Sequence, residues 1–158
     1  MKVIAIDPGY GRVGIAVLEK ESNTEHVLFS ECFSTEKSDD LNTRIFQVGN
    51  RINDLILEYK PKYMSIEALF FSKNTQTAMS VAEARGVIIY QALRNNIPVH
   101  EYTPNQIKVA VAGHGGANKR DIFYMVERLV KIDDRKRIDD ELDAIAIGLT
   151  FLASYREY

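Results

Sequence analysis

The segment Lys2–Ile6 is apolar on both parities of a strand and stops at Asp7-Pro8-Gly9. Successive strand side chains point to opposite faces, so such a run belongs to a strand buried on both sides of its sheet. A chain of 158 residues buries roughly 68–70% of its unfolded surface, enough for one domain spanning 1–158 and too little for a second. An apolar fraction of 46%, with nine glycines and four prolines, excludes a disordered, collagen-like or low-complexity chain. Cys32 is the single cysteine beside three histidines, which argues against a disulfide-stapled fold or a zinc module and for a reducing compartment. No stretch approaches the roughly 18 uncharged apolar residues of a membrane span, and the first apolar run meets Asp7 too early for a signal peptide. The expectation is a cytoplasmic protein with no membrane partner.

Gly14–Leu18 and Glu25–Phe33 read as strands that follow the first in an antiparallel meander. Asp39-Asp40 precedes Leu41, Ile45, Val48, Ile52, Leu55 and Ile56, the spacing of an amphipathic helix that stops before Pro61. Tyr63–Ile66 predicts a short central strand ending at Glu67. Ser80–Arg94 reads as a helix, and Ile97–Tyr102 as a parallel strand with Pro98 near its start and Pro104 after its end. Two late helices are predicted at Lys119–Val130 and Asp140–Ser154, separated by the charged segment Lys131–Arg137. Gly113-His114-Gly115-Gly116 is the clearest loop. The order is that of an α/β fold.

Twenty basic against 22 acidic side chains give a net charge of -2, which does not mark a nucleic-acid binder. The distribution is uneven. Residues 105–137 hold eight basic and four acidic side chains, and residues 138–158 hold one basic and five acidic. Two solvated helix surfaces account for that segregation without any ligand.

Four carboxylates stand where chemistry can use them. Asp7 and Glu67 each end a strand, and strand ends of a mostly parallel sheet open on one crevice. Asp140 and Asp143 share one helical face by their i,i+3 spacing. Gathered together, these acids repel one another and raise one another's pKa values unless divalent cations neutralise them, and magnesium, a hard oxygen-seeking ion, suits that role. Two such ions roughly 4 Å apart serve phosphodiester hydrolysis. Structural readings stand beside this one: Asp7 as the hydrogen-bonding residue of its turn, Asp139 or Asp140 as a helix N-cap, and Glu67 as a strand-end charge facing water.

Four segments, IAIDPGYGRVGIAV at 4–17, SIEALFFSKNTQTAMSVAEARGVI at 65–88, YTPNQIKVAVAGHGGANKRDI at 102–122 and DDELDAIAIG at 139–148, resemble in order and spacing the RuvC family of Holliday-junction resolvases. The resemblance covers almost the whole chain. It implies an RNase H-like fold, a central mixed five-stranded sheet flanked by helices. It also implies a magnesium-dependent endonuclease, with manganese able to substitute, that makes paired symmetrical nicks in four-way DNA junctions and leaves 5'-phosphate and 3'-hydroxyl ends. The family's acidic tetrad falls on Asp7, Glu67, Asp140 and Asp143, although some relatives carry histidine at the position of Asp140. The turn after Asp7, GYGRVG, holds more glycine than the family pattern.

The same resemblance implies that Phe70 enters the junction centre to stack on exposed bases, whereas Phe71 reads as structural. Lys73 and Asn74 share that loop as phosphate or base contacts, with Gln76 a weaker polar one. Lys108 and Lys119 fall at basic positions beside the acids, where point charges suit a scissile phosphate. Arg120 adds attraction for the backbone. Arg85 reads equally as a DNA contact or as an ion-pairing residue on its helix. Lys131, Arg135, Lys136 and Arg137 read as a solvated connector, and His26, His100 and His114 carry no assigned chemistry. A two-fold substrate implies a homodimer, for which the helix around Ser80–Leu93 is the candidate surface through Met79, Val81, Val87, Ile88 and Tyr90. Partnership with a RuvA–RuvB branch-migration complex is likewise a family implication. The rival functions are an RNA–DNA hybrid nuclease on the same fold and a junction-binding scaffold without turnover.

Overall fold

The computed structural model of the protein describes residues 1–22, 24–69, 75–132 and 135–156, with the backbone alone described for Thr75 and Gln76. The strands are β1 (Lys2–Asp7), β2 (Arg12–Glu21), β3 (Thr24–Ser34), β4 (Tyr63–Glu67) and β5 (Val99–Tyr102). They form one mixed sheet in the order β3-β2-β1-β4-β5. The β1–β2 and β2–β3 pairs are antiparallel, and β1–β4 and β4–β5 are parallel. The helices are α1 (Leu41–Tyr59), α2 (Thr75–Arg94), α3 (Pro104–Ala112), α4 (Lys119–Leu129) and α5 (Asp139–Ser154).

The two-residue period of β1 divides the core. Ile4 and Ile6, with Ile15 and Val17 of β2 and Met64 and Ile66 of β4, pack against α1 and α2 through Val48, Ile52, Leu55 and Ile88. Val3 and Ala5, with Ala16 and Leu18, pack against α3, α4 and α5 through Val111, Val126, Ile145 and Phe151. A strand apolar on both parities is thereby covered on both faces. No helix among the described residues is long and apolar enough to cross a membrane.

Several boundaries differ from the sequence expectation for definable reasons. The fifth strand begins at Val99 rather than Ile97, because Pro98 has no N–H for the ladder; its carbonyl still accepts from the Met64 N–H at 3.0 Å. The second helix begins at Thr75, five residues before Ser80. Helix α3 was not anticipated, yet it carries a local signal. Thr103 caps it, the Gln106 side chain reaches back to the Thr103 N–H, and Pro104 occupies its first turn. At α5 the N-cap is Ile138 without a side-chain hydrogen bond, so neither Asp139 nor Asp140 serves as the cap; both lie in the first turn, where the helix dipole favours negative charge.

Candidate active site

Ile6 and Ile66 are register partners in parallel strands, so Asp7 and Glu67 leave the sheet side by side at the same end. Both lie on the parity of Ala5 and Ser65, the face covered by α5. Gly14, the antiparallel partner of Asp7, lets that helix approach. A Cβ placed on Gly14 would lie 1.9 Å from the Asp140 carbonyl oxygen and 3.1 Å from the Asp7 Cβ. Only a residue without a side chain allows the first turn of α5 to sit on β2 at this point. Asp140 and Asp143 then face the strand ends from above.

Burial first, then the charges of Glu67, Asp143 and Asp140, push the Asp7 carboxyl up to about 8, with Lys119 opposing. Glu67 is raised by burial and by the charge of Asp143. Asp143 is also raised, chiefly by burial, against the hydrogen bond and charge of Lys119. Lys119 itself is pushed down by burial, but its contacts with Asp143 and Asp139 outweigh this and hold its ammonium above the ordinary value.

Among the described residues, Lys119 and Arg12 engage the acids. Lys119 Nζ lies 2.9 Å from Asp143 Oδ2 and 3.4 Å from Asp139 Oδ2, with the Phe123 ring beneath it at 5.3 Å. Arg12 Nε lies 3.1 Å from Asp140 Oδ2, and the Cys32 thiol donates to the same oxygen at 3.5 Å. Burial and the neighbouring Asp140 raise the Cys32 thiol pKa. Glu67, Asp143, Lys108 and Lys119 line a hollow of about 310 Å³ whose apolar wall includes Ile107 and Ile122. Helix α3 is therefore the element that brings Lys108 to the acids.

The sequence profile described as "Crossover junction endodeoxyribonuclease RuvC" matches residues 3–151. The chain belongs to the RuvC family. Among curated members, the RuvC of Petrotoga mobilis is 42% identical over 146 residues, covering 92% of this chain and 90% of that protein. The RuvC of Brevibacillus brevis is 39% identical over 158 residues, covering 100% and 95%. Among solved structures, T. thermophilus RuvC in complex with Holliday junction substrate superposes with a TM-score of 0.90 at 29% identity, covering 97% of this chain and 93% of that one.

In this RuvC-family chain the donor set fits a hard divalent cation. Asp7 is held against ionisation by burial and by three other carboxylates, and a cation among them would offset that penalty. Among the described residues no three potential ligands already converge as a closed metal site; Lys119 and Arg12 engage Asp143 and Asp140 instead.

The remaining expected site residues of the RuvC-family chain divide clearly. Phe70, Lys73 and Asn74, with Phe71, lie outside the described residues. Arg120 is exposed in the first turn of α4. Of the two readings for Arg85, the ion pair is present: its guanidinium meets Glu101 at 2.5 Å and Nε donates to the Glu67 carbonyl at 3.4 Å. Its side chain is only 15% exposed. On the proposed dimer helix, Met79, Tyr90 and Leu93 are exposed while Ile88 is buried. Two connector residues are not merely solvated, because Arg135 and Arg137 both engage the buried Glu141. Sequence reasoning passed over Arg12 and Glu141. Arg12 carries no local mark, since its partner Asp140 lies far along the chain, whereas Glu141 stands four residues after Arg137, a local spacing that does not by itself reveal that the pair is buried.

Proposed function

We propose that this chain is a structure-selective endonuclease that resolves four-way DNA junctions by hydrolysing one phosphodiester in each of two strands of like polarity. The observation that carries this reading is the superposition on T. thermophilus RuvC, a protein solved with a Holliday junction substrate. In this assignment Asp7, Glu67, Asp140 and Asp143 hold two magnesium ions, for which manganese substitutes. Bound there, the metal supplies Lewis-acid stabilisation of the negative charge that develops on the phosphate and its leaving oxygen. Lys108 and Lys119 present positive charge to the scissile phosphate, and their hollow orients it above Glu67 and Asp143. Water attacks phosphorus and the 3' oxygen leaves, giving 5'-phosphate and 3'-hydroxyl ends.

Phe70 stacks at the crossover in this reading, with Lys73, Asn74 and Arg120 contacting DNA. Arg85 acts from beneath, tying the end of β4 to Glu101, with direct DNA contact its alternative role. Residues 1–158 work as one nuclease domain, two copies pairing through α2, whose Met79 is 66% and Tyr90 60% exposed. The dimer works in the cytoplasm with a RuvA–RuvB branch-migration complex.

The test is incubation of purified protein and magnesium with an end-labelled mobile four-way junction, a matched linear duplex and an RNA–DNA hybrid. Paired symmetrical nicks confined to the junction are expected. Cutting of the hybrid with intact junctions overturns the assignment in favour of another RNase H-like activity. Junction binding without cuts in either magnesium or manganese leaves a scaffold.

A further inference from the structure

Beside Asp140 lies a second hollow, of about 490 Å³, lined by Tyr10, Gly11, Arg12, Lys37, Arg44 and Asp140 among others. Among the described residues it shares no lining residue with the hollow of Glu67 and Lys108, and α5 supplies one carboxylate to each, Asp143 to the first and Asp140 to the second. We propose that Arg12, Lys37 and Arg44 form a phosphate-binding groove that grips the DNA strand on the Asp140 side of the cut, a role that rests on the junction-resolving function above.

The charge of this hollow favours an anion. Among the described residues the one acid lining this hollow is Asp140, already paired with Arg12. Among the described residues no carboxylate pairs with Lys37 or Arg44. The groove therefore carries excess positive charge next to the acids.

The groove is also preorganised. Thr35, buried at 7% exposure, donates its hydroxyl to the Tyr10 carbonyl at 2.8 Å and accepts from Arg44 Nε at 2.8 Å. The Tyr10 ring lies under the same guanidinium, 4.8 Å from Cζ. Gly11 keeps the seat open, because a Cβ there would lie 2.7 Å from Arg44 Nη2. An arginine fixed by neutral partners through Nε keeps its full charge and its terminal nitrogens for an incoming anion, and a planar fork suits phosphate. Its ordering cost is met before the ligand arrives.

The path of the substrate calls for positive charge on both sides of the acids. A DNA strand carries a phosphate about every 3.4 Å of helix axis, so a strand crossing four carboxylates meets repulsion on both sides of the cut. Lys108 and Lys119 counter it in one hollow. Arg12, Lys37 and Arg44 counter it in the other.

The test uses fluorescence anisotropy of a labelled four-way junction across a salt series, in a cleavage-silent Asp7→Asn background, with Lys37→Gln, Arg44→Gln and the double variant. Two lost phosphate contacts should reduce the slope of log K against log salt by about 1.8, and weaken binding about tenfold near physiological salt. Single methylphosphonate substitutions flanking the cut locate the contact: one or two positions on one side should weaken the parent and leave the double variant unaffected. If Arg44→Gln lowers the melting temperature, Lys37→Gln still tests the groove, since this exposed side chain should alone remove about 0.9 from the slope. An unchanged slope, or methylphosphonate losses equal in parent and variant, overturns the groove. Failure of the unaltered protein to cut junctions instead overturns the function on which it rests.

Discussion

Lys119 Nζ lies 2.9 Å from Asp143 Oδ2, joining the start of α4 to the first turns of α5 at the mouth of the acidic hollow. The pair ties the basic segment before residue 138 to the acidic one after it. It also opposes the burial that raises the Asp143 carboxyl.

Replacing Lys119 with Met should therefore push Asp143 further upward and remove one positive charge from the phosphate. Single-turnover cleavage is expected to fall about 10²-fold, with the acidic limb of its pH profile displaced to higher pH. A uniform loss at all pH values, with no displacement, would separate Lys119 from Asp143.

Asp7 links pH to stability. Its carboxyl, pushed up to about 8 from the ordinary value of 3.8, holds its proton more tightly in the native state than in the unfolded chain. Its contribution is fully present below about pH 4 and is lost as pH rises through 8. In chelator, thermal stability should decline across that window by an amount on the order of a few kcal/mol. Asp7→Asn should flatten the decline, abolish cleavage and retain junction binding. Magnesium should raise the melting temperature of the parent at pH 8 more than that of the variant. Equal responses would remove Asp7 from the metal-holding set.

Gly14→Ala tests the approach of α5 to the sheet. The added Cβ would meet the Asp140 carbonyl oxygen at 1.9 Å, a backbone atom that no rotamer change can move. Urea denaturation should show a loss of about 1–3 kcal/mol, with cleavage falling more steeply than junction affinity because Asp140 is displaced from Asp7. Undiminished stability and turnover would contradict this packing.

Glu141→Ala tests the buried anchor of the connector. Glu141 is 2% exposed, accepts from the Ser30 hydroxyl at 2.6 Å and pairs with Arg137 at 3.3 Å and with Arg135. Removing one partner of a buried charge network costs about 3–5 kcal/mol. Glu141→Gln should recover part of that loss while keeping the Ser30 hydrogen bond. A wild-type unfolding midpoint for the alanine variant would show the network to be dispensable.

Much of the architecture was legible in local pattern. The double parity of β1 required helices on both faces, and the 3.6-residue spacing after Asp40 produced α1. Helix α3 was missed because its apolar spacing is short, although the Thr103-Pro104-Asn105-Gln106 start carries a capping signal. The i,i+3 placement of Asp140 and Asp143 was readable too, since it depends only on helix geometry.

The sequence alone thus determined which residues could be acids at strand ends or on one helix face, because strand and helix periods act over a few positions. Tertiary structure alone decided that β1 and β4 are neighbours, that Gly14 admits the backbone of α5, and that Arg12 meets Asp140, Arg44 the Tyr10 ring and Glu141 the Ser30 hydroxyl. Those relationships depend on strand order and on close approach between segments far apart in the chain. No local period encodes them, and burial turns their charges into energetics only once the sheet and helices have closed around them.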